Sequence, residues 1–293
     1  MLEMKNVTKS FGSFKALEDL NLTVPKGAVY GLVGPNGAGK STAIRHLTGV
    51  YRPDCGEVRM DGQPIYENNL IKERIGHIPD DIFFFPAATL EEMRKYYKGM
   101  YPKFDDALFS RLHEVFQLPK KGQIRRFSKG MQKQAAFQLT IASRPDVMIL
   151  DEPVDGLDPV MRRQVWSLIL SDVAQYETTV LVSSHNLREL EDVCDHVGIM
   201  DHGKMLLERS LADMQGATCK LQIVGDVPEN LNILHESNSG RLKTLIVRGS
   251  TEETMARVQA ANPIYFDVLP LSLEEIFIYE LGGVNYEVKN IVL

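Results

Sequence analysis

The sequence predicts an α/β protein with a parallel central sheet, and three segments indicate this fold. Each is an apolar run of strand length that leads into polar residues: residues 28–33 into a glycine-rich stretch, residues 146–150 into an acidic pair, and residues 178–184 into a histidine. Buried parallel strands read as nearly continuous apolar runs. Because ligands of such folds bind at the carboxyl ends of the strands, we expect the three polar ends to meet at one edge of the sheet.

The chain begins with a different pattern, in which apolar and polar residues alternate. The alternation covers residues 2–7 and 17–24, and it is typical of strands with one buried face. We therefore expect an antiparallel β patch within residues 1–27.

The glycine-rich stretch, residues 34–42, fits the P-loop pattern of a glycine, four residues, Gly-Lys and then Ser or Thr. Glycines let successive backbone N–H groups point into one concavity, and the helix predicted from residue 43 adds the positive end of its dipole. Lys40 can then reach the outer phosphates of a nucleoside triphosphate, and Ser41 can ligate Mg²⁺. The candidate nucleotide-binding residues are Gly34, Asn36, Gly37, Gly39, Lys40, Ser41 and Thr42.

Residues 80–145 are predicted to be rich in helix. Residues 90–93 and 109–116 read as amphipathic segments, and Ser128 reads as the N-cap of a further helix. Three consecutive phenylalanines, residues 83–85, are open to two interpretations. They either pack inside this helical region or form an apolar pocket for a helix of a partner.

The acidic pair and the histidine supply the candidate chemistry of the sheet edge. Asp151 fits the acid that holds Mg²⁺ at the end of such a strand. Glu152, one residue further, can accept a proton from the attacking water or orient it. His185 ends the third strand, where a neutral imidazole could either contact the γ-phosphate or hold the Glu152 region.

The core is expected to end near a turn at residues 201–204, and residues 216–293 read as a separate small α/β appendage. Strands are predicted at 220–224, 241–247 and 264–268, and helices at 251–260 and 272–281, the second with a capping box at Ser272 and Glu275. We therefore expect an ATP-binding domain over 1–215 and a small domain over 216–293. For its role, dimer contact and regulation both stay open.

Composition restricts the possible partners. The chain has 293 residues, a net charge of -6 and an isoelectric point near 5.7, which argues against nonspecific nucleic-acid binding as its main task. No apolar run approaches the length of a membrane span, and the amino end shows no apolar signal region. Three isolated cysteines without metal spacing fit a reducing compartment. We expect a cytoplasmic protein whose membrane role, if any, comes through a partner.

The order of these motifs resembles that of an ABC-type ATPase over residues 1–215. The resemblance is carried by residues 34–42, 127–131, 147–153, 156–158 and His185. It implies a dimer, homo- or heteromeric, that holds two ATP molecules head to tail. By this resemblance Ser128 and Gly130 would face the γ-phosphate bound by the partner, and Asp158 would lie at the dimer seam. Phe11 matches the family's aromatic residue that stacks on adenine, although a lone phenylalanine more often belongs to the core.

Two positions depart from the family pattern. The signature, usually Leu-Ser-Gly-Gly-Gln, reads Phe-Ser-Lys-Gly-Met at residues 127–131. Asp80 stands where the family has a glutamine that contacts Mg²⁺ and water. Its carboxylate either ligates the metal or points away from the site.

These departures, together with residues 95–104, resemble the stand-alone ATPases of ABC-2-type exporters of Gram-positive bacteria, closest to the YtrB-like and bacitracin-exporter-like groups. The resemblance implies a subunit that hydrolyses ATP, with Mg²⁺, on the inner face of the cell membrane, where it would bind an integral membrane permease. Two alternatives stay open: a soluble ABC ATPase without a transport role, such as an iron–sulfur assembly type, and a regulatory subunit that hydrolyses ATP weakly.

Overall fold

A computed structural model describes residues 1–213, 218–228, 230–269 and 271–275. The chain divides into a first unit, Met1–His185 with His196–Glu208, and a second unit, Asn186–Asp195 with Arg209–Leu293. In chain order the elements are β1 (Leu2–Phe11), β2 (Phe14–Val24), β3 (Val29–Val33), α1 (Lys40–Leu47), β4 (Cys55–Met60), β5 (Gln63–Pro64), α2 (Asn69–Lys72), β6 (Ile75–Ile78), α3 (Leu90–Met100), α4 (Asp106–Phe116), α5 (Lys129–Ala142), β7 (Val147–Asp151), α6 (Pro159–Tyr176), β8 (Thr179–Ser184), α7 (Arg188–Glu191), β9 (His196–Asp201), β10 (Lys204–Ser210), β11 (Thr218–Val224), β12 (Ile233–Ser239), β13 (Leu242–Arg248), α8 (Thr251–Ala260) and β14 (Tyr265–Leu269).

The central sheet of the first unit has six strands in the order β10-β9-β3-β8-β7-β6. The pairings of β9 with β3, β3 with β8, β8 with β7 and β7 with β6 are parallel. Every residue of β3, β7 and β8 is buried, which explains why these strands read as continuous apolar runs. The register aligns Leu32 and Asp151 with Ser183, so the three strands end at one edge. The predicted parallel core is confirmed.

The predicted β patch is also present, as a four-stranded sheet in the order β2-β1-β4-β5 with antiparallel pairing. Both of its predicted strands are longer than the alternation indicates. β1 continues to Phe11, and β2 begins at Phe14. These two residues pair beside the hairpin turn.

Helices α3, α4 and α5 form the helical region between the two nucleotide motifs. Thr89 and Glu92 cap α3 reciprocally, Asp105 caps α4, and Ser128 caps α5 by accepting a hydrogen bond from the Met131 N–H at 3.2 Å. Helices α3 and α4 both pack against α5. The Ser128 cap is thus where the sequence predicts it.

The second unit contains an antiparallel four-stranded sheet in the order β12-β13-β11-β14. Its core joins the apolar sides of β11 and β13 to Val258 of α8. Helix α8 has the predicted bounds, whereas β12 was not predicted. Almost all of its residues are exposed, so it lacks an alternating apolar pattern.

Two sequence expectations concern the end of the chain. Ser272 and Glu275 form the predicted capping box, with the Glu275 N–H donating to Ser272 Oγ at 3.2 Å and the Ser272 N–H donating to Glu275 at 3.0 Å. The rest of the helix expected over 272–281 lies outside the described residues. Within them, no helix combines the length and the apolar character needed to cross a membrane.

The division into units differs from the boundary that the sequence suggests at residue 215. The second unit begins at Arg209 and also takes in residues 186–195. Arg188 forms an ion pair with Glu274 at 2.9 Å, and the Leu273 N–H donates to Glu191 at 3.1 Å. Contacts between residues so far apart in sequence leave no local pattern from which the boundary could be predicted.

Candidate functional site

The candidate site begins where β3 runs into the P-loop. A Cβ at Gly34 would lie 2.3 Å from the Met200 carbonyl oxygen, so the loop can pass β9 here only with glycine. Gly39 has a φ of 104°, in the left-handed region that glycine tolerates. Gly39 is also the N-cap of α1 and offers no side chain to its first turn. The first N–H groups of α1 are therefore left for an anion.

Lys40 is buried in the first turn of α1 and has three neighbours. Its ammonium donates to the carbonyl oxygens of Gly34 at 2.5 Å and Pro35 at 3.4 Å, and lies 3.8 Å from a carboxylate oxygen of Glu152. Burial lowers the pKa of Lys40, and the charges of Glu152 and Asp151 oppose this shift. The lysine and the acidic pair therefore share one site.

Asp151 ends β7 and is buried. It accepts a hydrogen bond from Ser183 Oγ at 2.5 Å, and Ser183 Oγ accepts one from the Glu152 N–H at 3.1 Å. Ser183 of β8 thus fixes both acidic residues at the sheet edge.

Glu152 is held by its backbone and by its side chain. Its φ of 45° is left-handed, which is uncommon for a residue with a side chain. Its carbonyl accepts a hydrogen bond from Lys133 Nζ at 2.7 Å, and its carboxylate lies 3.0 Å from His185 Nδ1. Burial raises the pKa of Glu152, against the opposing effects of His185 and Lys40. Of the two interpretations of His185, contact with the Glu152 region is the one that this geometry favours.

A cavity of about 270 Å³ joins the P-loop to the acidic pair. Its lining combines the loop with three other segments, one apolar and two acidic: Phe14, Ala16, Pro35, Asn36, Gly37, Ala38, Gly39, Lys40, Ser41, Thr42, Asp80, Asp151 and Glu152.

The polar groups of this cavity suit both a phosphate group and Mg²⁺. The loop backbone and Lys40 suit phosphate. Ser41, Asp80 and Asp151 offer the hard oxygen ligands that Mg²⁺ prefers. The sequence left open whether Asp80 ligates the metal or points away from the site. Asp80 belongs to the lining of this cavity.

Phe11, the candidate for stacking on adenine, does not belong to the cavity lining. Phe11 packs edge-on against Tyr51 at 5.5 Å between ring centroids, with the Lys9 ammonium 5.7 Å from its ring. Phe14 lines the cavity and is 63% exposed. Adenine stacking by Phe11 stays a prediction, and Phe14 is a second candidate that the sequence pattern did not single out.

Ser128, Gly130 and Asp158 lie at the N-termini of α5 and α6. Ser128 caps its own helix, and Asp158 accepts hydrogen bonds from the N–H groups of Val160 and Met161 at 3.0 Å. An added Cβ at Gly130 would lie 3.5 Å from the Gly156 carbonyl oxygen, so the segments that carry Gly130 and Asp158 adjoin each other. None of the three residues belongs to the cavity lining given above.

Sequence reasoning missed three polar contributors to the site. Lys133 lies in a helix whose pattern indicates only a cap and an apolar face, and Ser183 lies in an apolar strand. Asp155 forms a cluster with Glu152 and His185, in which one ligand atom of each lies within 4.8 Å of the others. The glutamate and the histidine were candidates, but no signal in the sequence brings Asp155 to them.

Comparison with known proteins places these motifs in context. A family model described as ABC transporter matches residues 17–155. The chain is 30% identical over 288 residues to the ABC transporter ATP-binding protein YtrB of Bacillus subtilis (strain 168), covering 97% of this chain and 99% of the relative. It is 35% identical over 213 residues to the bacitracin transport ATP-binding protein BcrA of Bacillus licheniformis, covering 71% of this chain and 69% of that relative.

A solved structure shows the same fold. It is the dimeric structure of a bacterial ABC transporter cassette, with a TM-score of 0.66 and 22% identity, covering 72% of this chain and 99% of that chain. The resemblance to the YtrB-like and bacitracin-exporter-like groups is thus confirmed by the relatives, and the ABC-type core is confirmed by the fold.

Proposed function

The chain belongs to the ABC transporter family of ATP-binding proteins and is an ATPase of that family, and from this membership we propose that it powers a bacterial exporter through a separately encoded membrane subunit. The observation that carries the proposal is the convergence of Lys40, Asp151 and Glu152 on one cavity of about 270 Å³. Similarity to YtrB over nearly the whole chain supports a transporter subunit. The permease itself is inferred from the resemblance of the chain to stand-alone exporter ATPases.

In the proposed reaction Lys40 and the loop backbone bind the phosphates of ATP, and Glu152 orients the attacking water and accepts its proton. Contact with His185 keeps the Glu152 carboxylate at the cavity. Mg²⁺, when bound, would neutralise charge on the phosphates, and Asp151, Ser41 and Asp80 are the residues that would hold it.

We further propose that the complete site needs a second ATPase subunit. Ser128 and Gly130 lie at the N-terminus of α5, outside the cavity that contains Lys40. In a head-to-tail dimer this N-terminus would meet the phosphates bound by the partner, with Asp158 at the seam. Such a dimer would bind the permease on the inner face of the membrane, and closure on ATP would be transmitted to it.

The test is to trap the dimer with Glu152→Gln. This change removes the proton acceptor while keeping the size of the side chain, so ATP binds but is not hydrolysed. With ATP and Mg²⁺ we expect the variant to elute from a sizing column as a dimer, and to elute as a monomer with ADP. Glu114→Gln, an exposed change on α4, is the matched control. A Glu152→Gln protein that stays monomeric with ATP would contradict the dimeric site.

A further inference from the structure

Lys133 occupies an unusual place for a lysine. It lies on the second turn of α5, is 7% exposed, and donates a hydrogen bond to the Glu152 carbonyl oxygen at 2.7 Å. Lysine is almost never fully buried unless it is paired. Its partner here is the backbone of the residue that we propose as the catalytic base.

The hydrogen bond falls at a strained point of the backbone. Left-handed backbone at a residue with a side chain costs energy and persists only where the surroundings hold it. At Glu152 the N–H donates to Ser183 Oγ and the carbonyl accepts from Lys133, so the residue is held on both sides. The orientation of these two groups determines where the Glu152 carboxylate points.

Lys133 also brings a positive charge to an acidic part of the site. Burial lowers the pKa of Lys133, and the carboxylates of Asp80, Asp155, Glu152 and Asp151 oppose this shift. Glu152 lines the cavity, whereas Lys133 does not. The positive charge therefore lies behind Glu152 and outside the cavity lining.

We propose that Lys133 is a positioning residue for hydrolysis: it holds the backbone turn that aims Glu152. The proposal rests on the proposed ATPase site and adds to it a residue that acts through Glu152. Lys133 lies on α5, whose N-cap is Ser128. Lys133 therefore connects the helix that would meet the partner subunit to Glu152, the proposed catalytic base of its own subunit.

Steady-state ATP hydrolysis by the full chain separates this role from simple packing. Lys133→Met removes the hydrogen-bond donor and keeps the aliphatic stem, and we expect kcat to fall about 10- to 100-fold with the KM for ATP changed less than about twofold, since Lys133 does not line the phosphate cavity. Lys133→Arg keeps a donor and should retain part of kcat. Lys95→Gln, an exposed lysine of α3, should match the unmodified protein.

Thermal unfolding of each variant confirms that it is folded. Lys133→Gln replaces Lys133→Met if the latter unfolds.

Two results would overturn the role of Lys133: an unchanged kcat in Lys133→Met, or equal losses of kcat in the Met and Arg variants. Each leaves ATP hydrolysis by the unmodified protein intact and so leaves the proposed function standing. An unmodified protein that neither binds a fluorescent ATP analogue nor hydrolyses ATP would instead contradict the proposed function.

Discussion

Lys40 shows how a buried charge can be kept ready at a binding site. Its ammonium is satisfied by the Gly34 carbonyl and lies 3.8 Å from the Glu152 carboxylate. A buried ammonium without partners would cost several kcal/mol, and these neighbours offset that cost. Phosphate oxygens can replace the loop carbonyl as acceptors, so the lysine needs only a small movement to bind them.

Asp80 lines the cavity at the position where the family pattern has a glutamine. In the proposed site it is an anionic ligand of Mg²⁺ in place of a neutral amide. We expect Asp80→Gln to raise the Mg²⁺ concentration for half-maximal ATPase activity by about tenfold, because one anionic ligand is lost. The measurement is a Mg²⁺ titration of steady-state hydrolysis at fixed ATP.

Asp81→Asn is the matched control for this titration. Asp81 is exposed, follows Asp80 directly, and does not belong to the cavity lining. If Asp80→Gln and Asp81→Asn both leave the Mg²⁺ dependence and kcat unchanged, Asp80 is not a ligand of the site.

At the scale of elements, the edge strand β6 contains a histidine, His77, whose side chain is largely buried. Burial lowers the pKa of His77 to about 4, and its Nε2 has no hydrogen-bond partner among the described residues. The unfolded chain, with a histidine pKa near its ordinary value of about 6.5, therefore takes up the proton first as the pH falls. Neutral His77 stabilises the fold above about pH 6.5, and this contribution is lost progressively toward pH 4.

Urea unfolding of the nucleotide-free protein at pH 7.5 and pH 5 measures this effect. The His77 contribution to the free energy of unfolding should fall by about 2 kcal/mol between these values. His77→Gln should therefore lose less stability on acidification than the unmodified protein. Equal losses in the two proteins would refute the assignment to His77.

At the scale of the whole molecule, the three phenylalanines at residues 83–85 differ in exposure, a difference that the sequence alone did not show. Phe84 is 4% exposed and belongs to the core, whereas Phe83 is 76% exposed. Phe85 is half-exposed and packs edge-on against Tyr96 of α3 at 5.2 Å between centroids. Phe84 therefore serves packing, whereas Phe83 and Phe85 stay candidates for docking.

We expect the double change Phe83→Ser and Phe85→Ser to weaken binding to the proposed permease, because exposed aromatic residues often dominate interfaces. A loss of about 2 kcal/mol, or about 30-fold in affinity, is typical of such residues. Basal ATP hydrolysis should be unchanged, since neither side chain lines the cavity. The measurement is co-purification of the permease from membranes together with basal ATPase activity.

Phe84→Ser provides the contrast, because it removes a buried side chain. It should lower the melting temperature, as loss of a core aromatic costs about 3–5 kcal/mol, whereas the double change should not. If the double change lowers the melting temperature as much as Phe84→Ser does, all three phenylalanines serve packing.

The sequence by itself determined the parts of this protein that rest on local pattern. Continuous apolar runs specified β3, β7 and β8, and the glycine spacing of residues 34–42 specified the loop at the end of β3. The Ser128 cap and the bounds of α8 were equally local. Local steric and hydrogen-bonding requirements act on neighbouring residues, so they remain visible in the order of the residues.

Only the tertiary structure decided which side chains meet. Lys133 contacts the Glu152 carbonyl across 19 positions of the chain, and Ser183 bonds Asp151 across 32. The exposed strand β12 and the assignment of residues 186–195 to the second unit depend in the same way on distant partners. Contacts between distant segments arise from packing of the folded chain and impose no periodicity on the sequence. The P-loop was therefore readable at once, whereas the lysine behind the proposed catalytic glutamate was not.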